Sequence, residues 1–219
     1  MPTSRSYQDG CGIARALDVV GERWALLVVR ELLLGPQRFS DLRHALPGAS
    51  SNLVTDRLHE LQRSGVVRRR KLAPPAGSWV YELTEWGQEL EPIVLALGGW
   101  GLRVPRPAEP FTLSATSILL FLRGSVHPDP LAPPVTYRLE LDDRPWTVRT
   151  EGGEAQVRPG EPANADASVR TDAKTLNALL ENPEALDAAI SGGSAEAAGD
   201  LGAVRRLLLA AASPAATPA

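Results

Sequence analysis

Few side chains in this chain have the types and spacing that catalysis needs. His44, His59 and His127 are scattered, and the sequence has no HExxH, no GxSxG and no phosphate-cradling glycine loop. Gly98-Gly99-Trp100-Gly101 closes a helical pattern instead of joining a strand to a helix, so it is no dinucleotide fingerprint. Asp142-Asp143 reads as a turn former, because no third ligand stands at metal spacing. No catalytic set, metal site or cofactor is expected, and the chain is not expected to be an enzyme. Residues 36–72 offer recognition chemistry instead. Ser51, Asn52, Thr55 and Asp56 share one side of a helical pattern whose other side is Val54, Leu58 and Leu61. Hydroxyls, a carboxamide and a carboxylate on one helix face suit the base edges of the DNA major groove, where a carboxamide can pair with adenine. Arg68, Arg69, Arg70 and Lys71 follow on a strand-like run, where side chains alternate between faces and at least two can reach phosphate oxygens. The set expected to meet DNA is therefore Ser51, Asn52, Thr55 and Asp56 in the groove, with Arg38, Arg69 and Lys71 on phosphates. A charge run of this kind can also be a solvated edge strand kept from aggregating, but the polar-faced helix beside it favours nucleic acid.

Two short helices and a hairpin must position these groups. Phe39, Leu42 and Leu46 fall on one face of the first helix, with Ser40 as a candidate cap. Pro47-Gly48 interrupts it, Ser50 or Ser51 can cap the second helix, and Gly65 can end it. VVRRRKL and WVYEL then form a hairpin through PPAG, the wing of a winged helix-turn-helix. Upstream, residues 10–20 read as a helix with Ile13, Ala16, Leu17 and Val20 on one side. WALLVVRELLLG reads as a central helix apolar around most of its circumference. Downstream, Thr84 can cap a helix running to about Leu97, with Leu90, Val94 and Leu97 in one stripe. Residues 11–101 resemble the HxlR family of bacterial winged-helix regulators. The resemblance is carried by Cys11, Ala16-Leu17-Asp18, Gly21-Glu22-Arg23-Trp24, Gly35-Pro36, Arg38-Phe39-Ser40-Asp41-Leu42, Pro47-Gly48, Gly65-Val66-Val67-Arg68 and Tyr81-Glu82-Leu83-Thr84. It implies a homodimer formed through the first helix and the helix after the wing, bound to double-stranded DNA at an inverted repeat. It also implies a redox role for Cys11.

With 219 residues and 43% hydrophobic side chains, the chain has material for two domains. Residues 1–104 carry 13 basic and 11 acidic side chains and the remainder 10 and 15, so the front half is the part expected to meet nucleic acid. The start, MPTSRSYQDG, lacks the apolar core of a secretory signal and no apolar run approaches the length of a membrane span, so a cytoplasmic protein without membrane contact is expected. The single cysteine, Cys11, can be a small buried side chain or a thiol that pairs between subunits, and burial is the expectation. Residues 103–110, RVPRPAEP, have the composition of an inter-domain linker. Beyond a helix, SATSILLFLRG, four strand candidates separated by turn signals predict an antiparallel meander. Three helices follow, with SAEAAG between the last two, and SPAATPA reads as a disordered tail.

Residues 114–211 resemble the sterol carrier protein type of lipid-binding domain. The residues that carry this are Ala165 to Val169, Thr171-Asp172, Leu176, Leu179-Leu180, Ala185-Leu186, Ile190 to Gly193 and Gly199-Asp200-Leu201. That resemblance implies an apolar tunnel, lined by Trp146, Val148, Leu176, Leu179, Leu186 and Ile190, for an apolar small-molecule effector. The alternative is that these side chains fill a dry core. The expected fold is α+β: a winged helix-turn-helix domain over residues 1–104, joined to a sterol-carrier-protein-like α/β domain over residues 111–212 with an antiparallel sheet covered by helices. The expected function is a sequence-specific DNA-binding transcriptional regulator, a repressor under effector control. The alternative is a lipid-binding or carrier protein whose winged helix is a protein-interaction module.

Overall fold

The computed structural model describes residues 6–73 and 77–211. It divides into two compact units, Met1–Leu102 and Arg103–Ala219.

In the first unit, α1 (Gly12–Val20) ends at Gly21. α2 (Ala25–Leu32) is the central helix, with Ala25, Val28, Val29 and Leu32 buried. It starts from Trp24, whose φ of 78 is left-handed and unusual for a residue with a side chain. The Trp24 ring lies over the turn between the next two helices. A Cβ on Gly48 would come within 2.9 Å of it, so the ring needs a glycine there. α3 (Phe39–Ala45) buries Leu42 and is capped through Asp41, whose carboxylate accepts from the Arg38 backbone N–H at 3.1 Å; Ser40 is not the cap. α4 (Ser51–Arg63) is capped by Ser50, which accepts from the Leu53 N–H at 3.2 Å. It buries Val54, Leu58 and Leu61 and ends before Gly65, where φ is +77. β1 (Val67–Lys71) and β2 (Trp79–Leu83) pair antiparallel, Arg69 opposite Tyr81 and Lys71 opposite Trp79. Of the expected PPAG turn, residues 74–76 lie outside the described residues. The Gln37 and Tyr81 backbones exchange hydrogen bonds of 2.9 and 2.8 Å, which ties the entry of α3 to the wing.

The single helix expected after the wing is two. Thr84 caps α5 (Glu85–Gln88), and α6 (Glu91–Gly101) starts afresh with Pro92 in its first turn. Proline has no N–H to bond back to the preceding turn but is well suited to a new helix start, so it sets the break.

In the second unit, α7 (Ala115–Ser125) is followed by β3 (Val135–Leu141), β4 (Arg144–Glu151), β5 (Glu154–Pro159) and β6 (Ala167–Thr171). After them come α8 (Ala173–Glu181), a 3-10 turn (Pro183–Ala185), α9 (Leu186–Ser191), β7 (Ala195–Gly199) and α10 (Leu201–Ala211). The sheet order is β5-β4-β3-β6-β7. The first three strands form the expected antiparallel meander through turns at Asp142-Asp143 and Gly152-Gly153, all four residues at positive φ. The fourth does not extend it. β6 pairs parallel with β3 and antiparallel with β7, so the sheet is mixed and SAEAAG supplies a fifth strand. Residues 160–166 are too long for a tight hairpin and let the chain return to the open edge of β3. There the Asp166 N–H donates to the Thr136 carbonyl at 2.8 Å. β7 can be made of small residues because it runs close to its neighbour: a Cβ on Gly199 would lie 2.4 Å from the Asp166 carbonyl oxygen. Tyr137, Leu139, Trp146, Val148 and Val169 bury one sheet face with Leu119, Leu176, Leu186 and Leu207 from the helices. The tail after 211 lies outside the described residues. Among the described residues no helix is long and apolar enough to cross a membrane.

Candidate nucleic-acid interface

α4 presents Ser51, Asn52 and Asp56 exposed and Thr55 half-exposed, all clear of the buried Val54–Leu58–Leu61 stripe. Thr55 Oγ1 donates to the Ser51 carbonyl at 2.9 Å, so its hydroxyl proton is held within the helix. The helix is fixed from behind by groups that sequence reasoning missed. Arg57 is 9% exposed, and its Nη1 lies 2.7 Å from Glu60 Oε2 and 3.3 Å from Glu22 Oε2. The Arg57–Glu60 spacing is an i, i+3 signal that sequence could have given, whereas Glu22, 35 positions away, needs the fold. Arg43 donates to the Ala49 carbonyl and so staples α3 to the turn before α4.

The four wing cations separate into two kinds. Arg68 and Arg70 both donate to Glu82, at 2.8 and 2.6 Å. Burial pushes the Glu82 carboxyl up, but the bonds from Arg70 and Arg68 outweigh it and hold the group below the ordinary carboxylate range. Glu82 is thus ionised at neutral pH and neutralises part of that cationic face. Arg69 instead lies over Trp79, 4.6 Å from the ring centroid, and 5.8 Å from that of Tyr81, while Lys71 is exposed and without a carboxylate partner among the described residues. Arg38, the remaining expected phosphate contact, is exposed at the start of α3.

Cys11 is not buried. It is the exposed residue before α1, where backbone N–H groups of Ile13 and Ala14 stabilise the thiolate and lower its pKa. The expectation of burial failed because α1 turns only Ala14 and Val20 inward and leaves Ile13 and Leu17 at 72% and 41% exposure.

In the second unit Trp146, Val148, Leu176, Leu179 and Leu186 are buried and Ile190 is half-buried. The Trp146 indole N–H has no hydrogen-bond partner among the described residues. A cavity of about 330 Å³ lies elsewhere, among polar groups that include Asp142, Arg170, Asp172 and Glu196. Residues 106–111 are fastened to α8: Arg106 pairs with Glu181, Glu109 with Lys174 at 2.8 Å, and the Phe111 ring sits 4.6 Å from Lys174 Nζ. Among the described residues no group of three His, Cys, Asp or Glu side chains is placed to hold a metal ion.

Residues 19–108 match the HxlR-like helix-turn-helix family. The chain is 38% identical over 86 residues to the uncharacterized HTH-type transcriptional regulator YvaP of Bacillus subtilis, covering 80% of that protein and 39% of itself. The chain belongs to the HxlR-like family. Another relative, the uncharacterized HTH-type transcriptional regulator YdeP of the same species, is 36% identical over 95 residues, 73% of its length and 42% of this chain. Among solved structures, the redox regulator HypR in its oxidized form is 32% identical, with all of that chain and 44% of this one covered at a TM-score of 0.41. This HxlR-like protein carries a second match: residues 134–208 match the SCP-2 sterol transfer family.

Proposed function

We propose that this HxlR-like protein is a cytoplasmic, dimeric transcriptional repressor without enzymatic activity. Its α4 enters the DNA major groove, and its second unit binds an apolar effector. The observation that carries DNA binding is the exposed Ser51–Asn52–Asp56 face, fixed from behind by Arg57, with the exposed Lys71 on the wing that follows. Neutralising several phosphates makes affinity fall steeply as salt rises, whereas a protein-interaction module built on a winged helix need not show such a dependence. Fluorescence anisotropy of labelled duplexes across a salt series therefore tests the reading, and a salt-independent signal or none would favour the carrier alternative. In the same assay Asn52→Ala is expected to lose about 1–3 kcal/mol of discrimination between selected and random duplexes, since the carboxamide is the group suited to an adenine edge. Retention of full discrimination would remove Asn52 from the groove.

The dimer reading rests on exposed apolar side chains of α1 and α6: Ile13, Leu17, Ile93, Leu97 and Trp100. A twofold would set two copies of α4 about 34 Å apart, one DNA turn, and so select an inverted repeat.

Effector control rests on α8, which has two working faces. Leu176 and Leu179 point into the core where the effector is proposed to lie. Lys174 and Glu181 hold residues 106–111, which continue to α6 through residues 102–105. An effector releases DNA only if it binds one arrangement better than the other, by several kcal/mol for a near-complete switch. Burying about 200 Å² of apolar ligand offers about 5 kcal/mol gross, of which only the part that differs between the two arrangements counts. With a panel of fatty acids and sterols, at least one compound is expected to bind and to weaken DNA binding. Arg106→Ala with Lys174→Ala should keep compound binding and lose the DNA response. If no compound binds, the second unit is a scaffold.

A further inference from the structure

Of the two wing cations without a carboxylate partner among the described residues, Arg69 and Lys71, Arg69 is the one with an aromatic platform. Arg69, Lys71, Trp79 and Tyr81 share one face of the hairpin, because Arg69 pairs with Tyr81 and Lys71 with Trp79. Trp79 is 51% exposed, with the Arg69 guanidinium 4.6 Å from its ring centroid. On the opposite face Arg68 and Arg70 are held by Glu82. A phosphate contact needs only a charge, which a freely hydrated lysine or arginine supplies. Stacking does something different: it strips water from one side of the guanidinium and fixes its plane, while the in-plane N–H donors stay open. A directed planar donor beside a flat apolar ring fits a groove floor lined with acceptors and walled by deoxyribose. The minor groove at A·T pairs presents only the acceptors A N3 and T O2, whereas a G·C pair adds an N–H₂ donor that opposes a guanidinium. A·T tracts are also narrow there, which concentrates negative potential on an inserted cation.

We propose that Arg69 and Trp79 act as one reading head in the minor groove next to the α4 half-site. Arg69 donates to A·T acceptors and Trp79 packs on the deoxyribose wall, so that the wing selects A·T-rich flanks. Trp79 is then a specificity-determining residue that reads no base edge itself. The hairpin is placed for this because β1 follows α4 with only residues 64–66 between them. The inference rests on the DNA-binding reading above and adds to it the sequence class outside the major-groove contacts.

The test is selection from a random-sequence duplex library by the full-length protein, followed by anisotropy titrations on enriched duplexes with A·T or G·C flanks. The wild type is expected to enrich a core with A·T flanks. Trp79→Ala should keep the core, lose the flank enrichment, and bind A·T-flanked duplexes about tenfold more weakly, with an unchanged salt slope. Arg69→Ala should lose the flank preference as well and also flatten the slope by about 1. Trp79→Phe, which retains a ring, should restore most of the preference and guards against a misfolded wing, checked by circular dichroism. Undiminished A·T flank enrichment by Trp79→Ala would overturn the inference while leaving DNA binding intact. Failure of the wild type to enrich any duplex would instead overturn the DNA-binding reading, and this one with it.

Discussion

Ile93→Asp combined with Trp100→Asp is expected to convert the protein to a monomer and to weaken DNA binding by about 100-fold or more. α6 buries none of its residues within its own unit, although Ile93, Leu97 and Trp100 recur at i, i+4 and i+7 along one face. α1 adds Ile13 and Leu17, again one turn apart and exposed. Fully burying one such side chain from water is worth about 1.5–3 kcal/mol; these five are still 41–72% exposed, so covering them on both protomers supplies a gross stabilisation that offsets the cost of association. Two carboxylates placed in that surface would each have to be desolvated without a partner, which opposes assembly. The monomer would keep one α4 and lose the second, whose binding in the dimer is intramolecular at an effective concentration near the millimolar range. Multi-angle light scattering reads the mass and anisotropy the affinity. A wild type that is monomeric both free and on DNA, or a double variant that stays dimeric, would sink the twofold arrangement.

Local signals in the sequence reached as far as local physics does. The α3–turn–α4 element was legible because the cap at Ser50, the Leu42 and Val54–Leu58–Leu61 stripes and the left-handed Gly65 act within a few residues of one another. The hairpin turns at Asp142-Asp143 and Gly152-Gly153 were legible for the same reason. What escaped depends on partners distant along the chain. The parallel pairing of β6 with β3 is set by where a seven-residue connection returns, which residue types do not encode. The neutralisation of Arg68 and Arg70 by Glu82 requires the wing register, which pairs residues 14 and 12 positions apart in the chain. Cys11 was misplaced because its burial depends on which side of α1 meets the unit. The apolar side, Ile13 and Leu17, stays exposed. The break before α6 was missed although Pro92 announces it, because the apolar period continues across residues 90–97 and hides the change of helix.

Gly87→Ala is expected to lower the stability of the first unit by about 2–3 kcal/mol, against the ordinary rule that alanine stabilises a helix. Gly87 lies in α5 where the chain leaves the wing, and a Cβ there would fall 2.2 Å from the Val66 carbonyl oxygen and 3.2 Å from Leu83 Cβ. Neither neighbour can yield cheaply. The Val66 carbonyl accepts from the Thr84 N–H at 3.0 Å, and Thr84 Oγ1 donates to the Gly65 carbonyl at 2.7 Å, so the same three residues join the end of α4 to the end of β2. Thr84 Oγ1 also accepts from the Gly87 N–H at 3.1 Å, the cap of α5 itself. Inserting a methyl group must either lift α5 and break the cap or push Val66 and break the joint. Overpacking of this kind costs about 1–3 kcal/mol, and a lost hydrogen bond about 1 kcal/mol more. The backbone-entropy gain from replacing glycine in a helix returns only about 0.5–1 kcal/mol. Gly124→Ala supplies the contrast, because Gly124 lies in α7, is exposed, and a Cβ there meets nothing within 4 Å. It should raise stability by up to about 1 kcal/mol. Urea titrations followed by circular dichroism compare the two. Since Gly87 and Gly124 belong to different units, the pair also assigns the unfolding transitions if the units melt separately. An unchanged midpoint for Gly87→Ala would show that the joint between α4, the wing and α5 is looser than this geometry requires. α6 and its apolar face would then be free to move relative to the wing.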